Sequence, residues 1–275
     1  MILGLTSALV WGAADFGGGL TSRRTAVFGV VLVSQLAGLA VAVVLAVVRS
    51  EGMPGPADLG WSLLAGILGG IGITALYRAL AIGTMSIVAP IIGVLAAIIP
   101  VVGGIVLEDW PPTLVLVGIV LAILAVVLVS RITDEGGGRA GLPEALLAGV
   151  TIGLFGIVIA QISDGAVFAP MSVIRTTQAV LVGLLIVVTR TAWVPASRLL
   201  PVIVAIGLLD MAGNVAYLVA VQTGLLAVAS VLSALYPVVT VILAAIVLKE
   251  RITRDHAVGI ALAAVAIVCI GIGSA

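Results

Sequence analysis

The sequence predicts an all-α membrane protein: ten transmembrane helices arranged as two inverted five-helix repeats. Three observations predict it. Of the 275 residues, 63% are hydrophobic and 9% are charged, whereas a water-soluble domain carries about 25% charged residues. The charges cut the chain into apolar windows, several of them ~18 residues or longer, the length a helix needs to cross a bilayer. The windows also fall into two sets of five around a polar midpoint, with matching landmarks in each set. Mean hydropathy is +1.42. A β-barrel is disfavoured, because barrel strands alternate polar and apolar residues over ~10 positions and these runs are apolar on all sides.

The predicted spans are 2–20, 27–48, 59–82, 84–107, 113–130, 143–163, 170–189, 199–222, 226–248 and 256–274. The first has no basic residue ahead of its apolar run and is interrupted by Asp15, so it reads as a span and not as a signal peptide. Residues 25–48 are uncharged between Arg24 and Arg49, and 59–77 between Asp58 and Arg78. Residues 79–107 are uncharged but contain Pro90 and Pro100; 113–130, 145–163 and 257–275 are three further clean runs. The window 211–248 is too long for one helix at ~1.5 Å per residue and is expected to turn at Gln222-Thr223-Gly224. Pro90, Pro100 and Pro237 are expected kinks. Trp61, Trp110 and Trp193 read as aromatic residues at membrane interfaces.

The loop 131–142, with Gly136-Gly137-Gly138, separates a first repeat (1–130) from a second (143–275). Tyr77 pairs with Tyr217 at an offset of 140 and Gly118 with Gly259 at 141, while Gln35 and Gln178 occupy similar points of spans two and seven. Five spans per repeat place the second copy upside down, a common transporter plan. Loops after spans one, five, seven and nine hold Arg23, Arg24, Arg131, Arg139, Arg190, Arg198, Lys249, Arg251 and Arg254; the other side holds only Arg49. The positive-inside rule then puts odd-numbered loops in the cytoplasm and both termini outside.

Several stretches resemble the drug/metabolite transporter superfamily, in particular its EamA-like branch. Leu9-Val10-Trp11-Gly12-Ala13-Ala14-Asp15-Phe16 is close to that family's opening Trp-Gly pattern. Tyr236-Pro237-Val238-Val239-Thr240 leads to Leu248-Lys249-Glu250-Arg251-Ile252-Thr253, and Gly259 follows in the last span. The family has a proline-containing ninth helix, a short Gly-Glu-Arg-Leu-Ser type turn and a glycine-containing tenth helix. Lys249 stands where glycine is usual, and Leu107-Glu108-Asp109-Trp110-Pro111-Pro112 keeps only the acid. The resemblance implies a ten-span carrier with a central cavity between spans one, three, six and eight, and export over import. The family habit of cytoplasmic termini runs opposite to the charge count.

Four ionisable residues lie within the spans: Asp15, Arg78, Arg175 and Asp210. Such groups cost ~2.5–3.5 kcal/mol at a helix centre and should face the bundle interior in pairs. Position along the helices pairs Asp15 with Arg78 and Asp210 with Arg175. For the arginines the competing reading is snorkelling to an interface; for the acids it is a structural hydrogen bond. Asp210, Asn214 and Tyr217 share one face of span eight at i, i+4 and i+7. At offset 140 span three presents Gly70, Thr74 and Tyr77, and in span one Ser7, Trp11 and Asp15 share a face. These stripes line a cavity or bond helix to helix. The candidate substrate-binding residues are Trp11, Asp15, Thr74, Tyr77, Arg78, Arg175, Asp210, Asn214 and Tyr217, with Tyr236 as a further aromatic contact. Gly66 with Gly70, and Gly149 with Gly153, have the spacing of close helix packing.

Twelve basic and twelve acidic residues balance, so charge points to no nucleic acid partner. One His and one Cys cannot build an ordinary metal cluster, no phosphate-binding loop is present, and no cofactor is expected. Glu108 with Asp109 reads as a solvated turn. No catalytic dyad is apparent. The expected function is a multi-pass secondary transporter in the plasma (bacterial inner) membrane. It would move small polar or amphipathic metabolites, amino-acid-like compounds or drugs by alternating access, with the proton as coupling ion at Asp15 or Asp210. An intramembrane enzyme or scaffold, and a passive channel, are the alternatives. Asp210→Asn is expected to fold and insert but to lose or uncouple transport.

Overall fold

The computed structural model describes residues 1–83, 85–107, 110–129, 140–247 and 254–273. Glu108, Asp109, residues 131–139 and the turn Leu248–Thr253, with Lys249 and Arg251, lie outside the described residues, as does the side chain of Pro90. The described residues form α-helices and no strand: α1 Ile2–Ser22, α2 Val27–Val48, α3 Pro56–Ile82, α4 Met85–Leu107, α5 Thr113–Val129, α6 Leu142–Ile159, α7 Phe168–Thr189, α8 Leu200–Gln222, α9 Leu226–Ser233, α10 Tyr236–Val247 and α11 Arg254–Gly273. Proline stands in the first turn of α3, α6 and α8, where its missing N–H would have had no helical partner.

Five helices, Val27–Val48, Pro56–Ile82, Leu142–Ile159, Phe168–Thr189 and Ser197–Gln222, are long and apolar enough to cross a membrane. α1 is 21 residues long yet is not one of these. Its glycines, serines, threonines and Asp15 lower its hydropathy, and it packs inside the bundle against α8, α9, α10 and α3. Outward faces are apolar: Val43, Val44 and Val47 on α2 and Val180, Leu184 and Val187 on α7 are exposed. Such continuous apolar surface suits lipid and not water.

Span nine departs from expectation. It is two helices, broken at Ala234 and Leu235. Pro237 cannot donate to the carbonyl of Ser233, four residues back, and its ring would strike that carbonyl; α9 ends at Ser233. The expected kink is a break. Pro100, in contrast, lies within a continuous α4.

The connections gather at two ends. At one, the Arg23 guanidinium donates to Leu80 O (3.5 Å), Thr25 Oγ1 accepts from Ala196 N (3.2 Å), and Gly141 lies against Gly83. At the other, Asp58 Oδ1 accepts from Ser163 N (2.9 Å) and Oγ (3.0 Å). There too Gln222 Nε2 donates to Ser163 O (2.9 Å) and Ala166 O (3.1 Å). The α1–α2, α3–α4 and α7–α8 links thus lie at one end and the α2–α3, α6–α7 and α8–α9 links at the other. α3 packs on α6 and α1 on α8; α4 packs on α6, and α9 and α10 on α1; α3 packs on α7 and α2 on α8. Three further pairs, α2 with α7, α4 with α9 and α5 with α11, complete the bundle.

Candidate functional site

A central cavity of about 90 Å³ lies where these helices meet. It is smaller than the ~300–1,000 Å³ of drug-sized sites, so the enclosed space admits only a small group. α1 contributes Trp11 and Asp15, α3 Gly69, Ile73 and Leu76, α6 Ile152, Phe155 and Gly156, and α8 Asp210, Asn214 and Tyr217. α4 adds Ala96 and Pro100, and the broken span adds Ser230, Ser233, Ala234 and Tyr236. Gln35 of α2 and Gln178 of α7 complete the wall. α5 and α11 stay outside, packed on each other where Gly118 meets Ile270.

The polar chemistry centres on α7 and α8. Arg175 is 1% exposed, and its Nη1 donates to Asp210 Oδ2 at 2.5 Å. The same nitrogen bonds Gln35 Oε1 and reaches Gln178 Oε1 at 3.4 Å. Asn214 Nδ2 donates to Asp210 Oδ1 (3.2 Å) and to the Asp210 carbonyl (2.7 Å). Both carboxylate oxygens of Asp210 are therefore occupied. Asp15 shares the cavity and is close enough to Asp210 for the two charges to repel. Among the described residues, Asp15 accepts no hydrogen bond and joins no ion pair. The Tyr217 hydroxyl donates to Gly156 O (3.2 Å) and lies 2.8 Å from Ser230 Oγ, and its ring is 5.6 Å from that of Trp11.

The sequence-predicted residues divide into three groups. Trp11, Asp15, Asp210, Asn214 and Tyr217, with Tyr236, meet at the cavity. Arg175 stands behind the wall as the partner of Asp210, as paired. Arg78, Thr74 and Tyr77 are not cavity residues. Arg78 does not pair with Asp15; its Nε lies 3.3 Å from Glu144 Oε1, and its side chain is 57% exposed. It sits four residues from the end of α3, where a long side chain reaches the rim. Thr74 is buried and bonds Gly70 O within its own helix (2.7 Å), and Tyr77 is buried against Gly18 of α1.

The phase of α3 explains these misses. Its cavity face is Gly69, Ile73 and Leu76, one residue, or ~100°, from the expected Gly70–Thr74–Tyr77 stripe. Gly70 instead packs on Leu181 and Gln178 of α7. The glycine pairs at four-residue spacing are packing positions: Gly66 meets Ile174 and Thr177, and Gly149 and Gly153 meet Leu95 and Ile99 of α4. Gln35, Gln178, Ser230 and Ser233 line the cavity but are not among the residues that sequence singles out for the site. In the sequence the two glutamines are only landmarks of the repeat, and the serines carry no signal outside the helix break.

A family model described as the EamA-like transporter family matches residues 1–131 and again residues 139–272. One solved structure, titled only as the crystal structure of a protein, is 18% identical; the match covers 99% of this chain and 96% of that one, with a TM-score of 0.79. At that identity the likeness is one of fold. No curated protein matches the sequence. A bundle with an apolar exterior, a central cavity of mixed apolar and polar wall and two tandem family matches leads to one assignment: the chain belongs to the EamA-like transporter family, multi-pass membrane transporters of small molecules.

Proposed function

We propose that the protein is a secondary transporter that exports small polar or amphipathic metabolites across the plasma membrane by alternating access, with protons as the coupling ion. The observation that carries this is the cavity: a chamber of mixed apolar and polar wall holding two carboxyl side chains at the centre of an apolar bundle, walled by helices from both halves of the chain. Such groups are expensive inside a membrane unless they meet water, a partner or a ligand.

In the same proposal the chain crosses the bilayer ten times, α9 and α10 together making one crossing, as two inverted repeats spanning 1–130 and 143–275. The helix pairings support this. Exchanging α1 with α6, α2 with α7, α3 with α8, α4 with the α9–α10 span and α5 with α11 maps the most extensive pairings onto one another. The cavity wall supports it too. At an offset of 141, Trp11 and Asp15 correspond to Ile152 and Gly156, and Gly69, Ile73 and Leu76 correspond to Asp210, Asn214 and Tyr217, all of them lining residues. Binding residues at the junction of two inverted units are what alternating access uses. The substrate would contact Trp11, Asp15, Asn214 and Tyr217. Asp210 and Arg175 would shape the site, while Thr74, Tyr77 and Arg78 would act at most through packing.

Liposome counterflow tests the class. A resistance screen first supplies a transported compound. Labelled compound should then accumulate against trans unlabelled compound, and Ala96→Trp, which fills the cavity, should abolish this. Flux without exchange would mean a channel. Flux that survives Ala96→Trp in protein that remains folded would mean a path elsewhere.

A further inference from the structure

We propose that the cavity selects organic cations, holding a small amine or quaternary ammonium group against Asp15; the proposal rests on reading the cavity as the transport site. Among the described residues two carboxylates line the chamber, and no Lys, Arg or His does. They are not equivalent. Asp210 is neutralised by Arg175 and capped by Asn214. Asp15 has no such partner among the described residues. With the pair cancelled, Asp15 is the carboxyl group left to carry charge, and it lines the open space. A carboxylate removed from bulk water needs a proton, water or a cation beside it.

The rest of the wall favours a cation over the other two. Trp11, Tyr217 and Tyr236 line the chamber, and aromatic faces attract organic ammonium groups. Among the described residues the one buried cation is Arg175, which stands behind the wall with its Nη1 held by Asp210, Gln35 and Gln178, so the cavity surface offers an anion no positive side chain. An amino-acid zwitterion would bring its carboxylate among acids. A neutral solute would leave Asp15 as it is.

Three compounds of one shape and different charge decide the matter: choline, 3,3-dimethyl-1-butanol and 3,3-dimethylbutanoate. Binding of labelled choline to purified protein in nanodiscs, with the other two as competitors, is the measurement. Choline should bind at least tenfold more tightly than the alcohol, and the acid should not compete. Asp15→Asn should lower choline affinity at least tenfold and erase the preference over the alcohol, while Asp15→Glu should retain it; elution profiles of both variants verify folding. Failure of choline to bind, equal binding of the alcohol, tighter binding of the acid, or an unchanged preference in folded Asp15→Asn would each overturn the inference. Ala96→Trp separates the two levels. Loss of alcohol or acid binding in that variant would leave the cavity as the site and refute only its charge selectivity. Choline binding that survives the plug would refute the cavity itself.

Discussion

Asp210→Asn is the perturbation in which structure adds most to sequence. Asparagine keeps the size of the side chain and one acceptor oxygen, but it removes the counter-ion of Arg175. That guanidinium is 1% exposed and cannot deprotonate to escape its burial. Removing one partner of a buried ion pair costs about 3–5 kcal/mol. Two considerations put this case at the lower end. The amide oxygen can still accept from Nη1, and Gln35 and Gln178 still receive the same nitrogen. The expected loss is about 3 kcal/mol, roughly a hundredfold in the folding equilibrium. The variant is therefore expected to insert and to fold less stably than wild type, beyond any effect on transport. Arg175→Gln on the Asp210→Asn background removes the orphaned charge and leaves a donor for Gln35, so the double variant should recover more than half of the loss. Unfolding of purified protein by titrated denaturing detergent measures all three. An Asp210→Asn variant as stable as wild type, or a double variant no better than the single, would show that Arg175 is compensated by something other than Asp210.

Gly207→Ala places a methyl group 2.3 Å from Ser34 O, a backbone atom of α2 that cannot rotate away; overpacking of this kind costs about 1–3 kcal/mol, read in the same unfolding assay. Gly60→Ala meets nothing within 4 Å and should instead stabilise by up to about 1 kcal/mol, the helix-propensity gain; the reverse order of the two would contradict the packing. Glu51 Oε2 accepts from the first N–H groups of α7, Phe168 (2.7 Å) and Ala169 (2.8 Å), so Glu51→Ala should cost about 1 kcal/mol, as losing a helix cap does, with Glu51→Gln losing less. For orientation, Arg198→Cys on a Cys269→Ser background should react with an impermeant thiol reagent only after cells are permeabilised, whereas Asp164→Cys should react in intact cells; the opposite pattern would put the termini in the cytoplasm.

Much of this architecture is written in hydropathy, because lipid leaves a chain few choices beyond apolar helices of fixed length. Outside span nine, which is two helices, the spans drawn from charge-free windows agree with the helix bounds to within a few residues, and the Asp210–Arg175 pair follows from two opposite charges with nowhere else to go. What sequence does not carry is azimuth. Position along α3 places Arg78 near Asp15, but only the rotation of the helix shows that Arg78 turns outward to Glu144. The likeness of Tyr77 to Tyr217 fixed an offset of 140; the cavity faces obey 141, as Gly118 and Gly259 do. One residue of offset turns a helix by ~100°, enough to exchange a lining residue for a packing one. The break before Pro237 was hidden for a different reason: proline in a span reads equally as kink, break or continuous helix, and α4 takes the last course at Pro100.

The offset of 141 also shows how a two-fold plan produces a one-sided site. Asp15 corresponds to Gly156, and Asp210 corresponds to Gly69. Each acid thus faces a glycine in the equivalent place of the other half, and both glycines leave room that a side chain would fill: a methyl group at Gly156 would lie 2.9 Å from the Tyr217 hydroxyl, and one at Gly69 would strike the Gln178 amide. Gln35 and Gln178 correspond at a larger offset, 143, and between them stands one arginine, on α7; the residue of α2 at that offset is Leu32. A single cation beside two acids can neutralise only one, and its position on α7 selects Asp210. The charge available to a ligand is set by this one-sided pairing, and this is why Asp15, and not the better-bonded Asp210, is the position at which substrate charge is expected to matter.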